Sequence, residues 1–115
     1  PHVIFFQEIE IDKLKIIGPL IENHNLFPEK CNVTFAKIID KKNIKINVWE
    51  RGAGLTLACG TAACATLIAS VQKKLSDRSV DIHFSNGSLK LELDFENRIY
   101  MTGPVSEIKD IIFTI

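Results

Sequence analysis

The stretch WERGAGLTLACGTAACATLIASV, residues 49–71, decides how this chain folds. From Leu55 to Val71 it holds no charged side chain, and from about Gly60 to Lys74 the pattern is apolar nearly all round. A helix of that kind is surrounded by protein rather than laid on a surface. The uncharged run falls just short of a membrane span, and its Gly, Thr and Cys content weakens that reading further. The expectation is a buried helix, with Lys73 and Lys74 in its last turn where the negative end of the macrodipole suits them. Cys59 stands at the edge of this helix, whereas a space-filling cysteine would sit inside it.

Strand signals lie on both sides. Upstream, HVIFF (residues 2–6) is apolar and β-prone and reads as a buried strand. GPLIENHNLFP follows, with a proline early and another at its end. That spacing predicts a short helical turn from about Pro19 to Asn25, stopped before Pro28. NVTFAKIID then alternates as a strand, DKKN reads as a hairpin turn, and IKINVW returns with Ile44, Ile46 and Val48 on one face. Residues 50–54 are glycine-rich and interrupt that period. Downstream, residues 79–103 read as a β-meander in which Leu89, Leu91, Leu93 and Phe95 alternate with polar partners and SNG marks a turn. DIIFTI closes as another strand. The fold class expected is α+β in a single domain over residues 1–115, with roughly seven or eight strands wrapped around one mostly buried helix. No internal repeat, linker or low-complexity tract is visible.

With 115 residues, 46% of them hydrophobic and 24% charged, the composition is that of an ordinary soluble globular domain large enough for its own core. A formal net charge of +0 and the lack of a lysine-rich run argue against nucleic acid and anionic lipid as partners. Three cysteines fit a disulfide framework poorly. On one helix Cys59 and Cys64 would lie roughly 8–9 Å apart at Cα, too far to be bridged without distortion. No CxxC pair or His-x-x-x-His spacing indicates zinc. A reducing cytoplasm is the compartment this implies. The chain opens at Pro1 inside a strand, without an initiator methionine or a signal peptide, so trimming or a preceding segment is expected.

A helix starting near Gly60 directs the free N–H groups of its first turn toward Cys59 and whatever lies in front of it. Those donors and the positive end of the dipole favour a thiolate. They can also hold a carboxylate, with the Thr61 hydroxyl as an extra ligand and Gly60 permitting close approach to the backbone. Glu50 and Arg51 follow a strand and precede a glycine-rich turn, a setting that carries functional groups more often than cores do. Arg51 offers a planar fork for a carboxylate, and Glu50 can accept from an ammonium group or share a proton with Cys59. The plainer alternatives stand beside these, a buried space-filling cysteine and a surface ion pair worth little. Gly52 and Gly54 do not form a phosphate loop, since the lysine of that motif is missing.

WERGAGLTLACGTAACA closely resembles the second cysteine motif of the diaminopimelate epimerases, isomerases of bacterial lysine and cell-wall synthesis that work without pyridoxal phosphate. PHVIFF resembles the segment after that family's Gly-Asn, GPLIENHNLFPEKCNVTF the passage that supplies a binding asparagine, and YMTGP the closing strand. The resemblance runs across the whole chain but covers only the C-terminal half of the family's two-half fold. It implies a cofactor-free, two-base reaction in which a thiolate removes the α-proton from one face and a thiol donates to the other. Cys59 matches the second cysteine; the first belongs to an N-terminal half, the implied partner, expected upstream of Pro1 with a Cys-Gly-Asn motif.

Residue by residue, the resemblance implies that Gly60 and Thr61 bind the α-carboxylate of the substrate, diaminopimelate. Asn32, Glu50 and Arg51 contact substrate, with Arg51 toward the distal carboxylate. Glu50 also relays protons for Cys59, and His2 serves the cysteine of the other half. His24 and His83 match no such role. Leu55 and Ala62 depart from residues frequent in the family, glutamate and glycine, at positions outside the chemical groups. No metal or cofactor is implied, and a homodimer is one arrangement the sequence leaves open. The alternatives are a relative acting on proline or hydroxyproline, against which Glu50 and Arg51 argue, and a non-catalytic domain or thiol sensor keeping the fold.

Overall fold

The computed structural model describes residues 1–56, 59–85 and 87–103, and the backbone of 111–114. Eight strands form one mixed sheet: β1 (His2–Phe5), β2 (Asn32–Asp40), β3 (Asn43–Glu50), β4 (Gly54–Thr56), β5 (Ser79–Phe84), β6 (Gly87–Leu93), β7 (Arg98–Thr102) and β8 (Ile111–Thr114). Two helices accompany them, α1 (Ile11–Glu22) and α2 (Gly60–Gln72). The strand order is β1-β2-β3-β5-β6-β7-β8, with β4 paired to β3. Since β2 occupies one edge of β3 along Val33–Trp49 pairing, β4 and β5 share the other edge end to end: β5 pairs parallel at Asn43–Lys45 and β4 antiparallel at Val48–Glu50.

The pleat sorts side chains onto two faces, because residues paired across strands share a face and neighbours along a strand alternate. Ile4, Ala36, Ile44, Ile46 and Val48 pack with Val80, Ile82, Leu91, Leu93 and Ile99 around Cys59, Ala62, Ala63, Cys64 and Leu67 of α2. On the other face Val3, Val33, Phe35, Trp49 and Leu55 pack with Leu14 of α1, and the Phe5 and Phe35 rings stack 5.0 Å apart. Helix α2 is therefore the enclosed element and α1 the cover of the second face, an α+β arrangement.

Several sequence-based expectations need correction. The region around Pro19 is not a short turn beginning at that proline but a full helix with Pro19 inside it. Leu14, Gly18 and Glu22 recur every four residues and are its buried stripe. The carbonyl that Pro19 leaves without a donor belongs to Lys15, an exposed residue, where water can satisfy it. Among the described residues α1 is therefore a second full helix beside the mostly buried α2. β1 is an edge strand, only partly buried, because nothing pairs its outer side among the described residues. Helix α2 ends at Gln72; Lys73 is its C-cap and Lys74 takes a left-handed φ of 58°. Phe95 does not continue the β6 stripe: it lies in the turn after that strand, 89% exposed, under the Arg78 guanidinium at 4.5 Å. Asn86 of the expected SNG turn lies outside the described residues.

Thr34 is the odd residue of the α2 face. It is fully buried, paired across β3 through Val48 to Thr56, and neither threonine hydroxyl has a hydrogen-bond partner among the described residues. An unpaired buried hydroxyl costs about 1–3 kcal/mol. Thr34→Val keeps the shape and removes the cost, so the unfolding free energy should rise by about 1 kcal/mol. A urea titration whose midpoint stays put or falls would show that the hydroxyl is satisfied after all.

Candidate active site

Cys59 is the N-cap of α2, in extended conformation (φ −146°, ψ 106°), and its carbonyl accepts the first intrahelical bond from Ala63 N at 3.0 Å. Its side chain makes no capping bond, and no acidic residue stands in the first turn. The first-turn donors therefore remain uncapped by either route. The sulfur lies 3.4 Å from the Thr61 hydroxyl, and a Cβ on Gly60 would only touch the end of Met101 at 3.5 Å. The thiol is buried, at 7% exposure, within the α2-face core.

The other two cysteines are differently placed. Desolvation, with a smaller contribution from Cys59, pushes the Cys64 thiol up to about 11. Burial, and then the nearby Glu22 carboxylate, also raises Cys31, whose sulfur points at the Ile21 carbonyl. Both are held as thiols near neutrality. All three are free.

His2, Asn32 and Glu50 come together at one end of three adjacent strands. His2 pairs with Asn32 across β1 and β2, and the β2–β3 register that pairs Val33 with Trp49 brings Asn32 opposite Glu50. The same alternation that puts Ile4, Ala36 and Val48 against α2 places these three on the α2 face, the side on which Cys59 lies. Partial burial, and after it the positive charge at Pro1, lowers the affinity of the His2 ring for a proton. Asn32 Oδ1 accepts from the Arg51 backbone N–H at 2.6 Å, which pins the chain as it leaves β3. Arg51 itself is exposed, and its Nη1 donates to the Glu29 carbonyl at 3.3 Å.

The turn at residues 51–53 depends on glycine, since Gly52 and Gly54 have φ of 75° and 78°. It returns the chain along β3 as β4, a strand with no counterpart in the sequence reading, and delivers it toward the start of α2. Beneath the turn lies Trp49, on the opposite face from Glu50. A Cβ at Gly18 would stand 2.5 Å from the indole, so α1 can approach this closely only because residue 18 is glycine. Trp49 Nε1 donates to Glu22 Oε1 at 2.8 Å, and the Gly52 N–H donates to Glu22 Oε2 at 3.1 Å. Neither Gly18 nor Glu22 was anticipated. The available signal was a glutamate on the apolar stripe of a helix, and reading Pro19 as a helix start concealed the stripe.

The family model for diaminopimelate epimerase matches residues 1–108. The chain belongs to the diaminopimelate epimerase family. A diaminopimelate epimerase of Pelagibacter ubique is 60% identical over 112 residues, covering 96% of this chain and 41% of that protein. One of Afipia carboxidovorans is 47% identical over 105 residues, covering 90% of this chain and 36% of its own length. The chain thus spans about two fifths of the length of these diaminopimelate epimerases. Among solved structures, a phenazine biosynthesis protein of the PhzF family from Bacillus anthracis superposes with a TM-score of 0.65 at 14% identity, over 90% of this chain and 34% of that one. That likeness concerns the fold alone. Proteins bearing the diaminopimelate epimerase name are isomerases, and this chain carries that family's fold in a partial length.

Proposed function

We propose that this chain is the C-terminal half of a diaminopimelate epimerase, and that Cys59 supplies one of the two groups that exchange the α-proton between LL- and meso-diaminopimelate. The observation that carries this is the place of Cys59: a buried helix N-cap on the same side of the sheet as His2, Asn32 and Glu50. Family membership adds the reaction class.

An amino acid's α-proton is weakly acidic, so its removal needs poised acid and base groups and fixed donors on the carboxylate as charge develops. In this reading the uncapped N–H groups at Gly60 and Thr61 and the Thr61 hydroxyl hold the α-carboxylate. The Cys59 thiolate takes the α-proton from one face while a thiol of the N-terminal half delivers a proton to the other; in the reverse direction the roles exchange. One proton is taken and one given, so the cysteine pair ends with its protonation inverted and the substrate with its configuration inverted. Asn32 and Glu50 contact substrate, Glu50 also relaying protons at Cys59, and Arg51 exchanges the Glu29 carbonyl for the distal carboxylate. His2 serves the other half's cysteine. In this reading the reaction uses no cofactor and takes place in the cytoplasm.

The test uses the chain with and without an N-terminal half. Each half alone should fail to epimerise LL-diaminopimelate, and the two together should turn over and incorporate solvent deuterium at the reacting carbon, read by mass spectrometry. Robust turnover by this chain alone would overturn the two-half reading.

A further inference from the structure

We propose that Glu22 is a positioning residue for the substrate-facing turn: from the face opposite the reaction it fixes the turn through Gly52 and Trp49, and so sets where Glu50 and Arg51 point. The inference rests on the reading of Glu50 and Arg51 as substrate contacts.

The placement of this carboxylate is unfavourable unless it does such a task. It is the last residue of α1, at the negative end of the helix dipole, where a negative charge is disfavoured. It is only 7% exposed, and the ion pairs found among the described residues do not include it. Burying a carboxylate without an ion pair is costly, Lys30 and Arg51 easing that cost only from beyond ion-pair distance, and packing alone would favour an apolar side chain there. What a carboxylate offers is two acceptor oxygens at one point, and both are used. One receives the Trp49 indole N–H and the other the Gly52 backbone N–H. Bonds to an ionised acceptor are roughly twice as strong as neutral ones. These same donors, foremost Trp49, hold the Glu22 carboxyl below the usual range.

The consequence reaches the other face through the backbone. Successive N–H groups of the turn point to opposite sides of the sheet: Arg51 N to Asn32 Oδ1 and Gly52 N to Glu22 Oε2. The indole has little free space on the α1 side: a Cβ at Gly18 would stand 2.5 Å from its Cγ, and one at Gly54 would already touch its far ring at 3.5 Å. Asn32 and Glu22 therefore clamp two adjacent peptide groups, directly after Glu50. A glutamine at position 22 has one acceptor oxygen and would turn its NH₂ toward a donor, losing one of the two bonds.

The test compares wild type, Glu22→Gln, Glu22→Leu and Leu14→Ala in the assembled two-half protein. Leu14 belongs to the same α1-face cluster and touches no part of the turn's hydrogen bonding, so it reports a loss of packing alone. Two readouts are taken: amide exchange of Gly52 by NMR, and KM and kcat for LL-diaminopimelate. Glu22→Gln should speed Gly52 exchange at least tenfold over its strand neighbours and raise KM about tenfold with kcat changed less than threefold; Glu22→Leu should do more of both. Leu14→Ala should lower the melting temperature without either signature. Gly52 exchange that is unchanged in the Glu22 variants, or a KM that stays at the wild-type value as in Leu14→Ala, would overturn the proposal. If the wild-type assembly itself has no activity, the epimerase reading falls, while the Gly52 exchange rates still decide whether Glu22 holds the turn.

Discussion

Cys59→Ala in the assembled two-half protein is expected to lower kcat by about 10³- to 10⁴-fold, the contribution of a positioned acid–base group. The loss corresponds to about 4–5.5 kcal/mol of transition-state stabilisation. It should come with little change in fold: the residue's backbone, not its side chain, starts the helix, and the side chain makes no capping bond. The matched control is Cys64→Ala. Cys64 lies within α2, and its thiol is pushed up to about 11 by burial, so it is no base near neutrality. Its replacement should leave the kcat of the folded protein within about threefold, at a cost of about 1 kcal/mol in stability for a shortened core side chain. Solvent-deuterium incorporation into substrate separates the two: lost in the Cys59 variant and retained in the Cys64 variant. If Cys59→Ala keeps more than a tenth of the activity, the proton chemistry belongs elsewhere.

Leu67→Ala should produce the largest loss of stability, about 3 kcal/mol. Leu67 is completely buried in the middle of α2, among residues contributed by strands from β2 to β7. Truncation removes transfer energy and leaves a cavity that the surrounding sheet cannot collapse to fill, because its strands are tied to one another by backbone bonds. The guanidinium midpoint should fall with an unchanged slope. Leu67 is eight residues beyond Cys59, roughly 12 Å along the helix axis, so kcat measured well below the melting temperature should stay near wild type. A loss below 1 kcal/mol would mean that α2 is not the enclosed element. The two variants thus pull apart the roles of one helix, with its N-terminus reserved for chemistry and its middle for cohesion.

Much of this was legible in the residues. The uncharged run after Leu55 identified α2 and its burial, since only a helix enclosed by protein tolerates an apolar surface all round. Alternation along 32–40 and 44–49 marked β2 and β3 and placed Ile44, Ile46 and Val48 on one face. The motif around Cys59 pointed to the family, and the family model agrees. Helix α1 was misread because Pro19 is a local signal for a helix start, whereas packing of Leu14, Gly18 and Glu22 against the sheet outweighs the lost hydrogen bond. β4 escaped because three residues after a glycine turn carry no period of their own. Phe95 fits an alternating stripe in sequence, but β6 stops at Leu93, where the turn at residues 94–97 takes over.

By itself, then, the sequence determined the buried helix, the alternating strands and the chemical types gathered around Cys59, because each is a matter of local pattern and propensity. Only the tertiary structure decided which face each residue takes and what lies behind it. The parallel pairing of His2 with Asn32 joins segments far apart in the chain, and strand register, not composition, sets Glu50 opposite Asn32. The bond from Gly52 to Glu22 spans thirty residues and passes to the far side of the sheet. Such contacts arise when the α1 stripe closes on Trp49, a long-range packing event that no short window of sequence encodes.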